Sequence, residues 1–369
     1  MRTRRAAVAA ALTAVLAASS AVPLAAAVTP GDAGHGSGRD LDLQAHRGGV
    51  ALTVENTLPA FAKALELGVS TLELDVQITA DGHAVVTHDR DPNPAKCVDT
   101  EPAFPGDPQF PYVPGTTYIA DLTLAQVRTI DCGSLAQPQF PGQETRPGEP
   151  MPLLSEVFGL VNDYRARQVT LNVETKVEAG APEQTAPREE FVQVVAREVR
   201  EARLVDQVTI QSFDWGALMR MRQVEPRLPV VALTNGQQFL QVGQEGASPW
   251  LGGIDIDDFD GTIQERYVAA AASFGADALS PVHGDPQGGG VDDPGYVPFT
   301  TPELVEAAHD AGMRVVPWTI DDVPTLEHLM DMGVDGIITD RPDVLRDLMA
   351  ERHLKLPKPY QAPRHAHAR

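Results

Sequence analysis

Ser70-Thr71-Leu72-Glu73-Leu74-Asp75-Val76-Gln77 alternates aliphatic with acidic or amide side chains at a period of two. Successive residues of a β-strand face opposite sides. The segment therefore reads as a strand with Leu72, Leu74 and Val76 on one face and Glu73, Asp75 and Gln77 on the other. Working outward, β-rich runs at 41–46, 169–174, 206–211, 229–233, 276–280, 314–318 and 336–339 alternate with helical periodicity at 57–67, 189–203, 214–224, 263–274, 302–311, 323–332 and 343–352. In the first of these helices Leu58, Phe61, Ala62 and Leu65 share one face. Asn56 or Thr57 caps its start, and Gly68 ends it. Alternating βα units imply a parallel sheet covered by helices. Eight such strands predict an α/β chain closed into a (βα)8 TIM-type barrel rather than an open doubly wound sheet, with 253–257 able to replace or join 276–280. In a barrel the aliphatic face of 70–77 meets the helices, so Glu73 and Asp75 point into the lumen.

Two segments depart from the alternation. Strand 70–77 runs through Ala80-Asp81-Gly82-His83 into a second β-rich run at 84–88. That connection is too short for a parallel crossover and suits an antiparallel hairpin. With Asp81 and Gly82 as the two central turn residues, Ala80 pairs with His83, and His88 falls opposite Asp75. Residues 91–150 are rich in Pro and Gly, carry Cys97 and Cys132, and show one short helical piece near 123–130. They read as an insertion on a βα loop, at the face where such barrels carry function.

The chain has 369 residues, 43% hydrophobic and 22% charged, globular values that exclude global disorder. Its net charge of −22 argues against a nucleic-acid groove, which depends on Lys and Arg displacing counterions from phosphates. No internal apolar run approaches the roughly 20 residues of a membrane span. At the start, Arg2, Arg4 and Arg5 precede an apolar run from Ala6 to Ala18, and Ala25-Ala26-Ala27 suits cleavage. Residues 1–27 thus read as a secretory signal peptide, which predicts a secreted or extracytoplasmic protein. Residues 28–40 follow as a flexible leader, 41–352 as the barrel and 353–369 as a flexible tail. Export places Cys97 and Cys132 in an oxidising compartment, so a disulfide stapling the insertion is expected. Closing a loop of about 36 residues is worth roughly 3–4 kcal/mol in the chain-entropy model.

Two carboxylates confined in a lumen repel one another unless a proton or cation intervenes, and a hard divalent ion such as Ca2+ or Mg2+ takes carboxylate oxygens. In the next barrel strand Asn172 and Glu174 share a parity with Lys176. Glu174 becomes a third candidate metal ligand, and Lys176 a cation beside an anionic substrate. His46 ends the first strand in Gln44-Ala45-His46-Arg47-Gly48-Gly49. There Arg47 offers a planar fork suited to phosphate, and the glycines permit a tight turn or close approach. His46 and His88, near a metal and two cations, form a candidate acid–base pair near neutral pH. The other histidines read as surface or satisfied core residues. No G-x-S-x-G, H-E-x-x-H or P-loop pattern occurs. Aligning Gly261 with the glycine of a calcium loop puts Ile256 and Tyr267 at ligand positions, which excludes an EF-hand.

Taken together these residues resemble the glycerophosphodiester phosphodiesterase family, in its extended, exported bacterial form. The match runs through His46-Arg47-Gly48-Gly49, Glu55-Asn56-Thr57, Glu73-Leu74-Asp75-Val76, Asp81-Gly82, Val85-Val86-Thr87-His88-Asp89, Glu174-Thr175-Lys176, Gln211-Ser212-Phe213, Pro317-Trp318-Thr319 and Asp335-Gly336-Ile337-Ile338-Thr339-Asp340, over most of 41–350. The resemblance implies hydrolysis of glycerophosphodiesters to sn-glycerol 3-phosphate and an alcohol through a cyclic phosphate. It implies one divalent ion, Ca2+ or Mg2+, on Glu73, Asp75 and Glu174, with His46 and His88 as the acid–base pair. Arg47 and Lys176 would bind phosphate, and Phe213 and Trp318 would line the substrate pocket. Pro317 stands where many members carry an aliphatic residue. Two rival readings are a phospholipase D-like lipid phosphodiesterase and a non-catalytic binder of phosphodiesters or metal. The first calls for an apolar mouth or interfacial helix, and the insertion has no strong basic amphipathic stretch. The second is expected where either histidine is replaced, and both are present.

Overall fold

The computed structural model describes residues 40–362. The signal peptide expected over 1–27, nearly all of the leader and residues 363–369 lie outside the described residues. Strands β1 (Asp42–Ala45), β2 (Thr71–Ile78), β3 (Ala84–Val86), β4 (Thr170–Thr175), β5 (Val208–Ser212), β6 (Val230–Thr234), β7 (Ala278–Pro281), β8 (Arg314–Val315) and β9 (Gly336–Thr339) form one sheet. Eight of them are parallel in the order β8-β7-β6-β5-β4-β2-β1-β9, and β3 pairs antiparallel with β2. Between β8 and β9 three backbone bonds bring the edges together. Asp335 N–H donates to Val315 O (2.9 Å), Ile338 N–H to Pro317 O (3.0 Å) and Ile320 N–H to Ile338 O (3.2 Å). The strand expected over 314–318 is thus two residues long, and Pro317 within that stretch has no N–H for a ladder.

A helix follows each parallel strand: α1 (Leu58–Leu67), α2 (Leu154–Asp163), α3 (Arg188–Ala202), α4 (Trp215–Val224), α5 (Ile263–Ser273), α6 (Pro302–Asp310), α7 (Val323–Met332) and α8 (Pro342–Glu351). Thr57 caps α1 by accepting from Ala60 N–H, and Gly68 closes it in the left-handed conformation. Helix α2 was not anticipated. Its buried Leu154, Val157, Phe158 and Val161 carry the ordinary spacing, but the Pro- and Gly-rich stretch before it masks its start. The alternative strand at 253–257 is instead a loop with one 3-10 turn at Ile256–Asp258, and β7 holds that place in the barrel. Among the described residues no helix is long and apolar enough to cross a membrane.

The alternation in β2 sorts its faces as the period of two requires. Leu72, Leu74 and Val76 are fully buried in one core with Phe61, Phe158 and Phe191 of the surrounding helices. Burial of each such side chain contributes about 1.5–3 kcal/mol. On the lumen side Asn172 Nδ2 donates to Gln44 Oε1 (3.0 Å) and to Gln211 Oε1 (2.8 Å), and Gln211 Nε2 donates to Glu73 Oε1 (2.7 Å). A hydrogen-bonded amide layer therefore supports the acids from below, because buried polar groups need partners.

The hairpin register differs from expectation by one residue. Val76 pairs with Val86 and Ile78 with Ala84, Thr79 N–H donates to His83 O (3.0 Å), and Thr87 N–H donates to Asp75 O (3.0 Å). The loop is Ala80-Asp81-Gly82, three residues with Gly82 at φ +78°, and Thr87 rather than His88 stands opposite Asp75. A left-handed glycine serves both a two-residue turn and the third position of a three-residue loop, so Asp81-Gly82 alone does not choose between them.

The insertion has a small core of its own, with Tyr112, Ile119, Leu122, Val127 and Ile130 packed on Val85 and Met151. Its helical piece is one turn, Leu124–Val127, and Cys97 is joined to Cys132 by a disulfide. At the opposite end of the barrel the chain expected to fray from 353 is held as far as 360. Tyr360 is buried and donates its N–H to Leu65 O (2.9 Å), and Arg346 Nη1 donates to Pro357 O (2.9 Å).

Candidate active site

The C-terminal ends of the parallel strands open on a cavity of about 530 Å³. Its lining includes His46 and Arg47 after β1, Glu73 and Gln77 of β2, His88 after β3, Glu174 of β4 and Lys176 just after it, Phe213 after β5 and Trp318 after β8. The chain leaves β1 through three consecutive left-handed residues, Arg47 (φ +50°), Gly48 (+86°) and Gly49 (+90°). A Cβ on Gly48 would lie 2.9 Å from Ala60 Cβ, and one on Gly49 2.9 Å from Pro342 Cγ. This turn is wedged between the starts of α1 and α8, which is why only glycine fits there.

The turn aims Arg47 at the acids. Its backbone N–H donates to Glu73 Oε2 (2.8 Å), its Nε lies 3.2 Å from Asp75 Oδ2, and its Nη1 donates to Glu55 Oε1 (3.2 Å). Asn56 Nδ2 donates to Asp75 Oδ2 (2.9 Å). On the other side Lys176 Nζ is 2.8 Å from Glu174 Oε1 and 3.5 Å from Asp75 Oδ1. Glu73, Asp75 and Glu174 are all buried, and each offers one oxygen within 4.8 Å of the others. Burial first, then the charges of Asp75 and Glu174, push Glu73 up to about 8. Burial also favours the neutral form of Asp75, but Lys176 and Arg47 outweigh it and hold that carboxyl well below the usual range. Burial raises Glu174 against the pull of Lys176.

These residues fit a hard divalent cation. The donor set is three carboxylates, the right type for Ca2+ or Mg2+. Buried Asp75 Oδ1 has no hydrogen-bond partner, and Glu73 and Glu174 both lean towards the neutral form while only protein cations balance the cluster.

Each imidazole is held by an acid. His46 Nδ1 lies 2.5 Å from Asp340 Oδ1, which leaves Nε2 for substrate. Asp340 follows β9, and its N–H donates to Asp321 Oδ1 (2.8 Å). Burial and Arg47 act to lower His46, but the Asp340 charge and hydrogen bond, with Glu73 behind them, leave it raised. His88 Nδ1 lies 2.9 Å from Asp89 Oδ1. Burial, then Arg47 and Lys176, bring His88 down to about 4 despite Asp75 and Asp89. The structure thus gathers His46, His88, Arg47, Lys176, Glu73 and Glu174 at one cavity, with Asp75 buried against Arg47 and Lys176, although His88 arrives from a register one residue off that expected.

Phe213 and Trp318 line the same cavity edge to face, with centroids 5.5 Å apart, and Lys176 Nζ sits 5.8 Å from the Phe213 centroid. Two aromatics missed from the sequence extend this wall, Phe239 against Phe213 (5.0 Å) and Trp250 stacked on Phe239 (4.1 Å). They lie in the loop after β6, which shows no periodicity to read. The orienting roles of Asp89 and Asp340 were also missed. Asp89 follows its histidine directly in the sequence, a usable signal. Asp340 is 294 residues from His46, and only barrel closure brings them together.

A sequence profile of the glycerophosphoryl diester phosphodiesterase family matches residues 46–344. A glycerophosphodiester phosphodiesterase of Caldanaerobacter subterraneus subsp. tengcongensis is 28% identical over 305 residues, covering 83% of this chain and 96% of the relative. One from Bacillus subtilis is 25% identical over 306 residues, covering 81% and 83%. A crystal structure of a candidate glycerophosphoryl diester phosphodiesterase from Silicibacter pomeroyi superposes with a TM-score of 0.69 at 29% identity, covering 87% of this chain and 96% of that one.

Proposed function

The chain belongs to the glycerophosphoryl diester phosphodiesterase family and is a phosphoric diester hydrolase. From that premise we propose that it hydrolyses glycerophosphodiesters to sn-glycerol 3-phosphate and an alcohol by metal-assisted His/His acid–base catalysis. The observation that carries this reading is convergence. Two acid-held imidazoles, two cationic side chains and two carboxylates, from four parts of the chain, line one cavity, and the third carboxylate, Asp75, is buried with an oxygen within 4.8 Å of one on each of those two acids.

Glu73, Asp75 and Glu174 would hold one divalent ion, Ca2+ or Mg2+, which when bound supplies Lewis-acid neutralisation of charge on a phosphoryl oxygen. Arg47 and Lys176 bind the remaining anionic oxygens, at a site dry enough for charge to count. His88, neutral at physiological pH, accepts the proton of the glycerol 2-hydroxyl as that oxygen attacks phosphorus. His46, kept protonated by Asp340, gives its proton to the leaving alcohol as the P–O bond breaks. A five-membered cyclic phosphate results. Water then opens it with the roles reversed: His46 takes the proton of water and His88 returns one to the 2-oxygen. Phe213 and Trp318 wall the substrate. The acidic surface repels an anionic substrate only within a screening length of roughly 8 Å, so the local cations govern binding. The disulfide supports an oxidising compartment, in keeping with export on a signal peptide cleaved near Ala27.

Release of sn-glycerol 3-phosphate from several glycerophosphodiesters, measured for wild type and His46→Ala with and without chelator, tests the reading. The variant should lose on the order of 10²–10⁴-fold in rate, and exhaustive metal removal should abolish turnover. Full activity in the variant removes the mechanism, and activity surviving metal removal removes the carboxylate site.

A further inference from the structure

The insertion touches the catalytic machinery through one cation. Lys96 adjoins Cys97 of the disulfide, and its backbone is set by a turn in which Asn93 O accepts from both Lys96 N–H (3.0 Å) and Cys97 N–H (2.8 Å). Its ammonium reaches back to two carboxylates on different loops, Glu55 Oε1 at 2.9 Å and Asp89 Oδ2 at 3.0 Å. Each carboxylate holds a residue of the site. Glu55 Oε1 also accepts from Arg47 Nη1 (3.2 Å), and Asp89 Oδ1 faces His88 Nδ1 (2.9 Å). The insertion grips Glu55 a second time, since Gln137 Nε2 donates to its Oε2 (2.8 Å). Asn93 Nδ2 likewise donates to Asp89 Oδ2 (2.9 Å). Lys96 does not line the catalytic cavity. It lies behind it, in a crevice shared with Glu55, Asp89 and the disulfide.

We infer that Lys96 is a positioning residue: one ammonium, delivered by the disulfide-closed insertion, braces Glu55 against Asp89 and so fixes both Arg47 and His88. The inference rests on the function proposed above and gives the insertion a role in it. An ordinary exposed ion pair contributes little and orients nothing. Lys96 differs in being 22% exposed and in satisfying two carboxylates that are 10% and 22% exposed. Residues that orient the groups doing chemistry commonly matter nearly as much as those groups.

The test compares K96M, K96R, D89N and K96M/D89N by steady-state turnover of a glycerophosphodiester, with thermal unfolding and hydrogen–deuterium exchange on the same samples. K96M should lower kcat about tenfold, a fraction of what a whole acid–base group supplies, with KM within about threefold of wild type. K96R, whose guanidinium fork spans two carboxylates, should recover to within about threefold. In the D89N background K96M should cost less than it does in wild type, because the Asp89 arm of the brace is already lost while the Glu55–Arg47 arm remains. Exchange over 87–93 should rise in K96M and return towards wild type in K96R. A K96M enzyme with kcat within about twofold of wild type overturns the inference, as does an equal loss in the D89N background. A lower unfolding midpoint with unchanged kcat assigns Lys96 to stability alone and also overturns it. If wild type turns over no glycerophosphodiester, the functional reading fails by itself. The exchange measurement then decides: unchanged protection over 87–93 in K96M removes the brace, and raised protection loss there upholds it.

Discussion

Asp340 and His46 are the pair on which the chemistry turns at the scale of single residues. With Nδ1 at 2.5 Å from Asp340 Oδ1, the ring is fixed, and its charged form is favoured over burial and the Arg47 charge. His88 experiences the opposite balance, with burial, Arg47 and Lys176 bringing it down to about 4. This balance favours a charged His46 beside a neutral His88. Activity should fall as pH drops towards about 4, where His88 gains its proton. It should fall again as pH rises past the raised value of His46. Asp340→Asn should lower the rate by about 10²-fold and move the alkaline limb to lower pH, with the acid limb unmoved. A pH–rate profile of the variant with its alkaline limb in place would show that His46 is not the acid. Most of this chemistry was readable from residue types. His46-Arg47-Gly48-Gly49 and the parity of Glu73 with Asp75 name the groups, because a strand's period of two is a local property. Asp340 had no such signal, since its partner lies across a closure that no local pattern encodes.

At the scale of elements, the hairpin and the insertion divide the legible from the illegible. The existence of the hairpin follows from a connection too short to cross over. Its register depends on one residue of loop length, and Asp81-Gly82 fits either loop. The insertion announced itself by composition, yet its grip on Glu55 through Lys96 and Gln137 involves side chains without periodicity. Helix α2 had the periodicity and lacked a readable start: its cap residue is Leu153, whose N–H is satisfied by Glu156. The disulfide secures an element whose own core is only a few side chains. Replacing Cys97 and Cys132 together by Ser should cost up to about 3–4 kcal/mol, concentrated in the insertion. Limited proteolysis should then cut between 98 and 131 before any cut in the barrel. Cleavage no faster than in the disulfide-bonded protein would mean that the small core suffices.

Across the whole molecule, eight strands alternating with seven helical segments were enough to expect a closed cylinder, because helices on one side and a lumen on the other are what such a pattern builds. The evenness of the cylinder was not legible. Strands β2 and β4 share a six-residue register from Thr71–Thr170 to Val76–Thr175, whereas β8 and β9 meet through three backbone bonds around Pro317. Local opening free energy follows such differences. Amide hydrogens of Asp335 and Ile338 should exchange well before those of Leu74 and Val173, and equal protection would refute the asymmetry.

The same join has a bearing on catalysis. Asp340 is anchored immediately beyond it, and Asp321, on the far lip, accepts both Asp340 N–H and Thr339 Oγ1. The staves part most easily beside the aspartate that orients the catalytic imidazole. Heat or denaturant should therefore silence the enzyme by unfastening that clasp while the rest of the cask still stands.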